Sequence, residues 1–179
     1  MLNYVSSKAY KKFTLSEHLD KNLKRNVYQL RDNPLFTETT DLSAVDGPLM
    51  LVFEDGSCYD CAEFHDRLLA HKGVQTEIKP YTVVRLNTDD DSEIIDPAGN
   101  TTTAKAIAES LQMTYRPGVA IYNEGQLMRR NDSLSYSYHF KEGLRYIAGG
   151  HYKQENYRGY SQRRREELLA AGVTINLAE

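Results

Sequence analysis

The chain contains no tryptophan, only two cysteines and only five prolines. No apolar run approaches the length needed to cross a bilayer as a helix, so no membrane span is read. Two cysteines cannot staple a disulfide-rich scaffold. Charge of one sign is also missing: Lys+Arg is 22 against Asp+Glu 25, a formal net charge of −3. That balance excludes a chain whose main task is neutralising a phosphate backbone, so no nucleic-acid partner is expected. The segment Met1–Phe13 carries basic residues with no apolar run after them, and no secretory leader is visible in it. What is present is 179 residues with 40% hydrophobic content, enough for one domain with additions.

Along the chain, Leu19, Leu23, Val27 and Leu30 recur at helical spacing and predict a helix from Ser16 to about Asp32, closed by Asn33-Pro34. A polar stretch from Leu35 to Pro48 reads as loop. Leu49-Met50-Leu51-Val52-Phe53, bounded by Gly-Pro and Asp-Gly, predicts a strand buried on both faces. Ala62–Lys72 reads as a helix with Phe64, Leu68 and Leu69 inward and Gly73 as its C-terminal cap. Thr82–Asn87 predicts a second strand, running into an acidic loop at Asp89-Asp90-Asp91 that continues through Asp96–Asn100. Thr102 or Thr103 caps a helix over roughly Ala104–Gln112. Val119–Tyr122 and Gln126–Arg129 flank Asn123-Glu124-Gly125, a hairpin pattern. Two helices close the chain, about Tyr138–Ala148 and Glu155–Ala171, ended by Gly149-Gly150 and Gly172. Helices between the first strands imply a parallel pair with an antiparallel hairpin added, an α/β three-layer pattern.

The two cysteines stand together as Cys58-Tyr59-Asp60-Cys61. A CxxC pair serves zinc sites or dithiol–disulfide chemistry. Zinc needs two further ligands; His65 follows Cys61 by four residues and His71 lies further on, but a closed site lacks a fourth ligand. Position favours the dithiol reading. Cys58 falls after a buried strand at the expected start of a helix, where free N–H groups and the helix dipole stabilise a thiolate. Cys61, one turn on, is placed to resolve a mixed disulfide.

Read together, Leu49–Phe53, the cysteine pair opening a helix, and Arg116-Pro117 before Val119–Tyr122 and its glycine turn resemble the thioredoxin superfamily. The resemblance spans about Pro48–Gly150. It implies a thioredoxin-like α/β/α sandwich with a mixed sheet, an extra N-terminal helix and a helical C-terminal extension. It further implies one thioredoxin-like domain over 1–179, with an extension at 1–47, a redox core at 48–150 and a tail at 151–179. Tyr146–Tyr152, Tyr160 and Arg164 are similar to bacterial periplasmic thioredoxin-related proteins, which implies a periplasmic setting although no leader is read in this chain. By the same resemblance, Pro117 is a cis proline beside the cysteines, and the backbone of Arg116 pairs with substrate. Cys58 and Cys61 are then catalytic, with Pro117, Arg116, Tyr59 and Asp60 as substrate-binding candidates. No cofactor and no resident metal are required. The expected partners are protein thiol or disulfide substrates and a redox partner that recycles the pair.

Three departures bear on mechanism. Asp60 about 7 Å from a Cys58 thiolate costs roughly 0.6 kcal/mol at water-like dielectric and about 2.4 kcal/mol at an effective 20, favouring a reductant or mild exchanger. Arg116 is read as a cation that partly offsets this. Val52 stands where thioredoxin carries a buried acid; Glu54 reads as a solvated strand-end carboxylate, with proton handling as the other reading. The alternative function is a Cu(I) carrier using Cys58, Cys61 and His65 or His139; a degenerate scaffold that binds a partner without turnover is a third. Arg163-Arg164-Arg165 beside Glu166-Glu167 reads as a solvated helix face. The acidic run lacks the ligand alternation of a calcium loop. The late tyrosines read as docking the terminal helices.

Overall fold

Strand β1 (Leu49–Glu54) is buried along its whole length because both of its faces are covered. The computed structural model describes residues 27–177. In it β1 pairs in parallel with β2 (Thr82–Asn87) and antiparallel with β5 (Gly118–Asn123), which turns back into β6 (Gln126–Asn131). The sheet order is β2-β1-β5-β6. A helix α1 begins at Cys61 and continues without a break as a π-helix over Phe64–Leu69; α2 covers Lys72–Glu77. A small hairpin, β3 (Glu93–Ile95) and β4 (Thr101–Thr103), precedes α3 (Ala104–Ser110). Helices α4 (Ser137–Ala148) and α5 (Tyr157–Ala170) follow the sheet, joined by a short 3-10 turn at His151–Lys153.

Strand alternation sorts the core into two layers. Met50 and Val52 face Phe64, Leu68, Phe140 and Leu144 on one side. Leu49, Leu51 and Phe53 face Ala104, Ile107 and Ala108 on the other. The result is the expected α/β/α arrangement with a mixed sheet and a helical C-terminal extension. The tail docks through tyrosines: Tyr146 meets Tyr152, Tyr157 and Tyr160, and the buried Tyr160 hydroxyl donates to Glu142 at 2.9 Å. Arg163 pairs with Glu155 and Glu167, consistent with a solvated face.

Several expectations are corrected. Of the helix predicted over Ser16–Asp32, residues 16–26 lie outside the described residues, and Val27–Asp32 have no regular structure. That last stretch runs across the cysteine loop instead. The Tyr28 amide donates to the Gly56 carbonyl at 2.9 Å, and Arg31 forms a two-point pair with Asp66. Gly73 is not a cap. The helix predicted to run to Lys72 ends at Leu69, and a new one starts with His71 as its N-cap, Nδ1 accepting from the Gly73 and Val74 amides. The helix expected to start at Cys58 starts instead at Cys61, and Cys58 stands in the turn before it. Part of the acidic loop forms the β3–β4 hairpin, tied to the N-terminal segment by a bridge from Asp41 to Ile95.

Candidate active site

The β1–β5 ladder ends at Phe53 opposite Gly118. The chain leaving β1 toward Cys58 and the chain entering β5 through Pro117 are therefore side by side. The Arg116–Pro117 peptide is cis. Cys58 and Cys61 are joined as a disulfide with Cα atoms 5.6 Å apart, and both are buried. The turn that presents Cys58 is closed by its own amide, which donates to the Asp55 carbonyl at 3.1 Å. Tyr59, between the cysteines, is 93% exposed.

Asp60 has no side-chain capping bond to the helix it precedes. Its carboxylate instead accepts the Tyr115 hydroxyl. Burial, reinforced by the Asp60 charge, pushes the Tyr115 hydroxyl up to about 12, so the proton stays on tyrosine.

Asp55 gathers four donors. Oδ1 accepts the Ser57 amide at 2.9 Å and the Ser57 hydroxyl at 2.6 Å; Oδ2 accepts the Thr88 hydroxyl at 2.6 Å and Arg116 Nε at 2.9 Å. Burial alone raises its pKa, but the Ser57 and Thr88 hydrogen bonds and the Arg116 charge outweigh it and hold the carboxyl below its ordinary value. Arg116 also donates from Nη1 to the Met113 and Tyr115 carbonyls. The guanidinium read from sequence as an offset to Asp60 is bound to Asp55, with 13% of its side chain exposed.

Glu54 corrects the solvated reading. Strand alternation turns it to the same side as Met50 and Val52, and it is fully buried. Oε1 lies 2.7 Å from His65 Nε2. His65 Nδ1 lies 3.2 Å from Asn33 Nδ2, and the Asn33 oxygen accepts the Leu35 amide, which orients the amide group. Nδ1 is therefore an acceptor, so Nε2 carries the hydrogen and donates to Glu54. Glu54 Oε2 and the Tyr28 hydroxyl are buried and have no hydrogen-bond partner among the described residues. Burial first, then the charge of Glu54, pushes the Tyr28 hydroxyl up. Val52 lies in the apolar core with no exposed surface.

The copper reading required His65 or His139. Both ring nitrogens of His65 are engaged as above, and His139 sits edge-on to Tyr138 with centroids 5.4 Å apart. Among the described residues no group of three or more His, Cys, Asp and Glu side chains is placed to hold a metal ion. No described helix is long and apolar enough to cross a membrane.

The structure thus gathers Cys58, Cys61, Asp60, Arg116 and Pro117 at one end of the sheet. Reasoning from sequence missed Asn33, Thr88 and Tyr115. The one visible signal for a buried partner was the spacing of Cys61 and His65, which shares a helix face.

A thioredoxin-like fold carrying a CxxC pair at disulfide distance supports thiol–disulfide oxidoreductase chemistry. A family model described as a thioredoxin-like domain matches residues 36–148, and the chain belongs to that family. Among solved structures it is similar to a thioredoxin-fold protein from Helicobacter pylori, with TM-score 0.61 and 18% identity over 72% of this chain and 86% of that one. It is also matched, at TM-score 0.45 and 16% identity, by a thioredoxin from Thermus thermophilus, over 62% of this chain and 85% of that one. No curated protein matches the chain at a significant level.

Proposed function

We propose that the protein reduces or mildly exchanges disulfides in protein substrates, with Cys58 as nucleophile and Cys61 as resolving thiol. The observation that carries this is a cysteine pair at disulfide distance just after β1, at the end of the sheet where the β1–β5 ladder stops at Phe53 opposite Gly118. In the reduced protein the Cys58 thiolate attacks a substrate disulfide, forming a mixed disulfide and releasing one substrate thiolate. Cys61 then loses its proton and attacks the Cys58 sulfur. The Cys58–Cys61 disulfide forms, the second substrate thiolate leaves, and the two released thiolates take protons from solvent. Two electrons pass from the pair to the substrate, so a separate dithiol partner must restore the reduced state.

Glu54 is the group we assign to take the Cys61 proton. It is fully buried, one carboxylate oxygen has no hydrogen-bond partner among the described residues, and its other oxygen is bonded to His65, one helical turn beyond Cys61. The reducing direction rests on Asp60, whose carboxylate disfavours the Cys58 thiolate by Coulomb repulsion. Arg116 does not relieve that repulsion, because its charge is paired with Asp55.

Insulin-disulfide reduction tests the reading. Cys58→Ser abolishes turnover, and Cys61→Ala retains a trapped mixed disulfide with substrate. The pair's potential falls nearer the thioredoxin value of about −270 mV than the strong-oxidase value of about −120 mV. Wild-type protein that fails to turn over insulin yet binds one Cu(I) tightly would overturn the proposal in favour of a metal carrier.

A further inference from the structure

The segment that leads into the cis peptide touches the cysteine loop twice, through consecutive residues. Tyr115 donates its hydroxyl to Asp60, two positions after Cys58. Arg116 donates Nε to Asp55, three positions before Cys58, at 2.9 Å. The nucleophile lies between these two attachments along the loop. From the other side, Asp132 Oδ1 accepts the Thr114 amide at 3.0 Å and the Tyr115 amide at 2.9 Å, anchoring the same segment to the end of β6. Among the described residues no main-chain hydrogen bond joins residues 55–60 to residues 113–117, since the strand ladder has already ended. Side chains alone hold the two lips together.

We infer that these two ties are a clamp that sets the width and register of the cleft beside Cys58, with Asp55, Asp60, Tyr115 and Arg116 as positioning residues for polypeptide disulfides. The inference rests on the exchange function proposed above. A polypeptide disulfide long enough to reach along residues 116–117 while its sulfur meets Cys58 touches both lips, so it needs them in register. A small disulfide needs only to reach the Cys58 sulfur. Misplacing a reacting group by about 1 Å costs up to about a hundredfold in rate, so a loosened lip penalises the extended substrate selectively. The Asp55 arm of the clamp is the stronger one: it is charged, nearly buried, and shares Thr88 as a third point of attachment.

The test compares insulin with the small aromatic disulfide 5,5′-dithiobis(2-nitrobenzoic acid), using the full chain. Arg116→Met and Asp55→Asn each lower the ratio of kcat/KM for insulin to kcat/KM for the small disulfide about tenfold, and the double variant shows no further fall in that ratio, because both cut one tie. Arg116→Lys recovers part of the loss. Equal losses on both disulfides, or losses that multiply in the double variant, would overturn the clamp. Amide hydrogen exchange supplies a readout independent of turnover: Arg116→Met speeds exchange at Ser57 and Cys58 on the opposite lip. If the wild type turns over neither disulfide, the exchange function fails, and the amide measurement alone decides the clamp. Protection lost at Ser57 and Cys58 upholds it, and protection unchanged overturns it.

Discussion

Glu54 and Asp55 are adjacent carboxylates at the end of β1, and the pleat sends them to opposite sides of the sheet. Asp55 accepts four hydrogen bonds from Ser57, Thr88 and Arg116. Among the described residues Glu54 accepts one, from His65, and its other oxygen, fully buried, has no partner. A carboxylate saturated with donors stays ionised and acts as a fastener. A buried carboxylate with an oxygen free of donors can accept a proton from a neighbouring group without first breaking a hydrogen bond. The difference teaches that donor count, more than residue type or burial, separates a structural acid from a chemical one.

The largest effect expected from this contrast is on stability. Asp55→Ala leaves the nearly buried Arg116 guanidinium without its carboxylate, and breaking such a pair costs about 3–5 kcal/mol. Glu54→Gln still offers His65 an amide oxygen, so it costs about 1 kcal/mol. Urea unfolding of the two variants reads the difference directly. Kinetics should reverse the order: Glu54→Gln slows resolution of the mixed disulfide by about a hundredfold, the usual lower range for a lost proton acceptor. If Glu54→Gln proves the more destabilising and leaves resolution untouched, the division of labour between the neighbours is wrong.

A smaller effect separates the two by pH. The Asp55 carboxyl is held below its ordinary value in the folded protein. Its contribution to stability is therefore complete above the unfolded value of about 3.9 and is lost as pH falls through the depressed folded value. Wild type should exceed Asp55→Asn by a constant margin from about pH 5 to 7. That margin then shrinks as the solution is taken below about pH 4. Other depressed carboxylates, Asp66 among them, are common to both proteins and cancel in the difference. A margin that grows toward acid would contradict the sign and remove Asp55 as the charged fastener.

The layer order, the buried central strand, the cysteine pair and the Arg116-Pro117 edge were legible because each is a local pattern of a few residues. Glu54 was not. Alternation alone places it on the helix side, but its burial depends on residues 27–36 crossing that side, and nothing in the local sequence announces a cover contributed from so far upstream. His71 escaped for a different reason. Histidine is an uncommon N-cap, and Gly73 just beyond an apolar run has the form of a helix end. Only the π-turn over Phe64–Leu69 and the new cap at His71 show that one helix stops and another starts. Tyr115 and Asp60 meet across a separation of 55 residues, which no spacing rule reaches.

The smallest expected effect bears on whether Glu54 is held as an acceptor at all. Asn33 presents its nitrogen to His65 Nδ1 and its oxygen to the Leu35 amide, so the segment upstream of the domain core selects the tautomer of the buried histidine. Asn33→Ala removes both bonds at a cost of about 1 kcal/mol each, small enough to leave the fold intact. With Nδ1 no longer receiving a hydrogen, His65 can place its proton on either nitrogen, and the bond to Glu54 Oε1 is no longer obligatory. Imidazole nitrogen chemical shifts read this directly: wild-type His65 should carry its hydrogen on Nε2, and Asn33→Ala should show both tautomers. Hydrogen found on Nδ1 in the wild type would make Glu54 the donor across the pair. Its carboxyl would then already hold the proton that the resolving step requires it to accept.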